Sequence, residues 1–137
     1  MLRPEDLELT RALERCDVPA AGFPHVSHLR AAWVYLSEAP SVDAAIARMA
    51  STLRAFVTAL GKPDKYSDAT TAFWMLQIAS VRALMPGVDI DDVLRAFPHL
   101  LDKDFITAAH AVANLSPAAV PIRATRGRRT PGRARGR

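Results

Sequence analysis

This chain has almost no cysteine. Cys16 stands alone, so neither an intrachain disulfide framework nor a cysteine zinc cluster can be built. The expected compartment is a reducing cytoplasm. Within RALERCDV the thiol reads as a small, half-buried helix residue, and no neighbouring base marks it as a nucleophile. Long apolar runs are missing too, and none reaches the length needed to cross a bilayer. The opening residues, MLRPEDLELTRALER, are charged and lack an apolar h-region, which argues against a signal peptide. Alternating apolar and polar residues are absent, so strands have no support. There is no P-loop, GxGxxG, HExxH or GxSxG. Asp89, Asp91 and Asp92 resemble a calcium loop only superficially, because the glycine and distal glutamate of an EF-hand are missing.

What is present is globular. The 137 residues are half hydrophobic, enough for one domain with a core, and Ala and Leu dominate, which favours helices. Charge is divided unevenly. Residues 1–120 hold 11 basic and 14 acidic residues, a balance of −3, while residues 121–137 hold seven arginines and no acid, a balance of +7. The basic character belongs to the tail. With its Arg, Gly, Pro and Ala and almost nothing to bury, the stretch 120–137 is expected to be disordered.

Punctuation divides the rest into helices. Pro4 and the acids after it suit a helix start, and a first helix is expected from Pro4 to Cys16. A loop over 18–24 leads to a second helix over 26–38, with Leu29, Ala32, Trp33 and Leu36 on one face. Ser41 is a candidate N-cap for a third helix, whose apolar period runs from Val42 to Leu60 and stops at Gly61. A polar connection over 62–68 precedes a fourth helix over 68–84, with Phe73, Leu76, Ile78, Val81 and Leu84 expected to face the core. Asp89 or Asp91 caps a short helix through Phe97, and a last helix is expected over 100–115. The expected fold is an all-α bundle of five or six helices over residues 1–119, its two longest helices adjacent and antiparallel.

Polar chemistry concentrates in two stretches. In FPHVSHLRAAWVYL, His25 and His28 lie three apart and share a helix face, so both could reach one ion. Two ligands do not complete a site, since zinc takes three or four. The alternative is two imidazoles at a helix start, exposed or bonded to backbone. In KYSDATT, Ser67 or Asp68 is a natural helix cap. Asp68 could instead complete a two-His-one-carboxylate set with His25 and His28, a pattern suited to Fe(II), with Tyr66 or Thr71 nearby. His99 reads as a turn residue. His110 reads as a core or surface histidine. Trp33, Tyr35, Phe73 and Trp74 have the helical spacing of core aromatics.

These two stretches also carry a resemblance. FPHVSHLRAAWVYL resembles the motif F-x-H-x-x-H-L-x-x-A-W-x-Y-L of a small family of bacterial all-helical proteins with no assigned reaction. Members of that family carry K-Y-H-E-T-x-T downstream, where this chain has KYSDATT, followed by a segment like FPHLLDKDF. The resemblance spans residues 13–106. It implies that His25 and His28 form one polar cluster and the KYSDATT stretch the other. Ser67 stands where the family has histidine and Asp68 where it has glutamate, while Lys65, Tyr66, Thr71 and, with altered chemistry, Thr70 remain comparable. Exchanging an imidazole for a hydroxyl removes a strong ligand, so a family site built on three histidines would be weak here. Beyond Leu115 the likeness ends.

Three functions follow as expectations. One is a non-catalytic accessory or interaction protein, suggested by the incomplete ligand set. Another is a metal-dependent enzyme with His25, His28 and Asp68 around a single divalent ion. The third is polyanion or nucleic-acid binding by the tail through phosphate contacts, without base stacking, since no aromatic is interleaved there. No membrane partner is expected.

Overall fold

The structure is a computed structural model that describes residues 2–19 and 23–111. Six α-helical segments and no strand occur among the described residues. They are α1 (Pro4–Glu14), α2 (His25–Glu38), α3 (Val42–Ala59), α4 (Asp68–Leu84), α5 (Ile90–Ala96) and α6 (105–111). Short 3-10 turns occupy Pro63–Lys65 and Pro98–Leu101. The chain divides into two compact units, one ending at residue 103, with the described residues 104–111 belonging to the other. The expected disorder of 120–137 and the expected helix end at residue 115 lie outside the described residues.

In the first unit α2 is the hub, packing against α1, α3 and α4. It buries Leu29, Ala31, Ala32, Trp33, Val34, Tyr35 and Leu36. The single face expected from the sequence was therefore too narrow. Neighbours on several sides cover almost the whole circumference, which is why so few charges appear on this helix. Leu13, Met75, Ile78, Ile90 and Leu100 complete the core around Trp33 and Tyr35.

Helix ends follow local chemistry. Ser41 Oγ accepts the Ala44 N–H at 3.1 Å and caps α3. Asp89 and Asp92 form a reciprocal capping box on α5, which assigns the cap to Asp89. Two helices close with the same paired bonds. After α3, Gly61 takes φ 74°, with Gly61 N–H on Thr58 O and Lys62 N–H on Val57 O. After α1, Cys16 takes φ 56°, with Cys16 N–H on Leu13 O and Asp17 N–H on Ala12 O. Both are Schellman closures. Helix α1 thus ends at Glu14, before Cys16, because the thiol residue occupies the left-handed position usually given to glycine.

Two further expectations are corrected. The buried face of α4 is Thr71, Met75, Ile78 and Val81, while Leu76 and Leu84 are 50% and 72% exposed. The buried stripe passes through Thr71 and Met75, which leaves Leu76 and Leu84 on the outer side. The last helix does not run from residue 100. Pro98 opens a 3-10 turn that buries Leu100, and α6 begins anew with Asp104 O accepting the Thr107 and Ala108 N–H groups.

Charged groups tie helices distant in sequence. Asp6 is 1% exposed, and Arg30 Nη1 bonds its Oδ1 at 3.1 Å. Arg30 also pairs with Asp91, which holds Arg3 as well, so α1, α2 and α5 meet at one clamp. On another side, the buried Tyr35 hydroxyl donates to Glu14 at 2.6 Å and lies 2.8 Å from Thr52 Oγ1. The Arg48 guanidinium sits 4.6 Å above the Tyr35 ring. Burial, then the Glu14 bond, pushes the Tyr35 hydroxyl well above its usual pKa.

Candidate functional site

Helix α2 starts without a side-chain cap, because its N-cap is Pro24. Phe23, just before it, supplies the anchor. Its ring is buried, 5.8 Å from Phe56 of α3 and edge-on to the His28 imidazole at 4.5 Å. This contact from the residue before the cap to the fourth helical residue has the geometry of a hydrophobic staple, with an imidazole as one arm. Burial, reinforced by the nearby His25, lowers the His28 pKa to about 4, against a backbone bond to Pro24 that favours the proton. His28 is therefore neutral near pH 7.

His25 has a different set of neighbours. Its Nε2 lies 2.8 Å from the Leu100 carbonyl, and its ring packs edge-on to Trp74 at 4.5 Å. A carbonyl only accepts, so Nε2 carries the hydrogen and its lone pair is not offered to a metal. One turn of helix thus sends His25 to α4 and the Pro98–Leu101 turn, and His28 to Phe23.

The KYSDATT residues gather at the start of α4. Ser67 Oγ accepts the Thr70 N–H at 3.1 Å and caps the helix. Asp68 Oδ1 accepts from the Tyr66 hydroxyl at 2.7 Å and from Arg54 Nη2 at 3.0 Å. These bonds, Tyr66 first, hold the Asp68 carboxyl below its usual pKa. Burial raises that of Tyr66, with the bond to Asp68 adding to the rise and the buried Thr71 hydroxyl opposing it. Arg54 also lies over the Tyr66 ring at 5.2 Å. Sequence reasoning missed Arg54, whose only signal was a cation flanked by apolar α3 residues.

Tyr66, Ser67, Asp68 and Thr71 are thus brought together, and His25 and His28 share one helical turn. The two groups are not joined into a metal centre. Among the described residues, no three His, Cys, Asp or Glu side chains form a group that could hold an ion. The remaining singled-out residues have local roles. His99 lies in the Pro98–Leu101 turn, edge-on to Phe97 at 6.2 Å. Asp89 and Asp92 cap α5, and Asp91 belongs to the Arg30 clamp. His110 is exposed on α6.

Among the described residues no helix is long and apolar enough to cross a membrane. No family model, curated protein or solved structure matches this chain.

Proposed function

We propose that this chain is a non-catalytic helical protein that acts by contacting a partner, in a reducing compartment such as the cytoplasm. The observation that carries the reading is how the polar residues of both motifs are engaged. His25 bonds the Leu100 carbonyl, Asp68 bonds Arg54 and Tyr66, and Ser67 caps α4. His25 and Asp68 tie one element to another and Ser67 closes a helix end, which is the work of a scaffold. Support also comes from the outer side of α4, where Leu76 and Leu84 offer apolar surface for a partner.

Metal analysis of protein purified from medium supplemented with zinc and iron tests the reading, with His25→Ala alongside. The expected result is far less than one ion per chain in both proteins. One ion per chain, lost in His25→Ala, would overturn the proposal in favour of a metal-dependent enzyme.

A further inference from the structure

Seven of the eight arginines among the described residues have a carboxylate partner: Arg3, Arg11, Arg15, Arg30, Arg48, Arg54 and Arg95. The exception is Arg82, on α4. Its Nη2 donates to Ser37 Oγ at 3.1 Å, and its guanidinium lies 5.2 Å from the centre of the Trp33 ring. Its Nε–H is buried without a hydrogen-bond partner, and so is the Trp33 Nε1–H. Buried donors of this kind are rare and costly, and a cationic one more so.

Both residues line the same cleft. It measures about 330 Å³, is partly open, and is closed on its other sides by Ala83 and the 85–88 segment. That segment turns at Gly87, with φ 83°, and supplies Met85, Pro86 and Val88 as apolar wall. This volume is at the small end of the range for ligand sites. A planar guanidinium beside an indole ring is suited to a planar anion. A single unpaired cation balances one negative charge, and the apolar wall suits a hydrocarbon body. We infer that the cleft between Trp33, Arg82 and the 85–88 turn binds a small apolar monocarboxylate, its carboxylate on Arg82 and its chain against Met85 and Val88.

Hexanoate is a suitable probe. The indole N–H signal of Trp33 is followed by nuclear magnetic resonance and told apart from that of Trp74 with Trp74→Phe. Hexanoate is expected to shift the Trp33 signal saturably, with Kd on the order of 1 mM. Neutral hexanamide and inorganic phosphate are expected to bind at least about tenfold more weakly. Arg82→Gln should abolish the response. Ala83→Phe, at an exposed position on the cleft rim, should block it without touching the core, and decides the matter if Arg82→Gln fails to fold. No response to hexanoate up to about 20 mM overturns the proposal. So does an equal response to hexanamide or phosphate, or an undiminished response in folded Ala83→Phe.

Discussion

His28 makes this fold sensitive to mild acid. The folded protein holds the imidazole at a pKa of about 4, against 6.5 when free, chiefly through burial. Above about pH 6.5 neither state carries the proton, so the full stability is present. As pH falls below that value the unfolded chain takes up a proton that the folded chain refuses. Stability therefore falls with pH, down to about 4, where both states are protonated. Between pH 7 and pH 5 the loss attributable to this residue is about 2 kcal/mol. Glu14 and Asp68 are held below their usual pKa values, so they contribute chiefly at lower pH and leave this window mostly to histidine. Urea unfolding at both pH values, on the native chain and on His28→Gln, measures the effect. The variant is less stable overall, because the contact with Phe23 is lost, but its stability should change by about 2 kcal/mol less between the two conditions. Equal pH dependence in the two proteins, or an imidazole that titrates near 6.5 in the folded state, would refute the reasoning.

Other perturbations test the remaining structure. Arg30→Leu leaves Asp6 buried without its cation and should cost about 3–5 kcal/mol in urea unfolding; a loss under about 1 kcal/mol would remove the clamp from the account. Cys16→Gly should raise stability by about 1 kcal/mol, because it relieves a left-handed φ of 56°, whereas Gly61→Ala should lower it by a similar amount although nothing lies within 4 Å of the added carbon. Opposite signs in thermal melts are the expected pair, and the same sign in both contradicts the shared Schellman geometry. Ser67→His restores the histidine seen in the resembling motif but removes the α4 cap; it should cost about 1 kcal/mol and gain no stoichiometric ion by metal analysis.

The helices were legible because their punctuation is local. Ser41, Gly61, Pro98 and the Asp89–Asp92 box act within a turn or two of themselves. What periodicity could not give was the orientation of α4. Leu76 and Leu84 have the apolarity of core residues but not the position, because the neighbours of α4 decide which stripe is covered. Cys16 deceived for a related reason: its left-handed conformation is imposed by the closing bonds of α1, and the residue type gives no hint of it. The candidate residues lie in two stretches: those of KYSDATT gather at the start of α4, while His25 and His28 turn to different neighbours. Their partners were not legible. Leu100, Arg54 and Phe56 are ordinary residues that become specific only when the helices assemble. Arg82 carried one signal, a cation in an otherwise apolar stretch of α4.

The His25 contact also constrains how the protein is made. His25 and Leu100 are 75 residues apart. At about 5–20 residues per second, a ribosome needs roughly 4–15 s to bring the second into being after the first. During that interval the start of α2 has its histidine but not its carbonyl, and the Arg30 clamp lacks Asp91 until most of the same wait has passed. The nascent chain holds the helix with the most buried residues incompletely covered for seconds. Synthesis slowed before codon 100 would lengthen that exposure without changing a single residue of the finished protein.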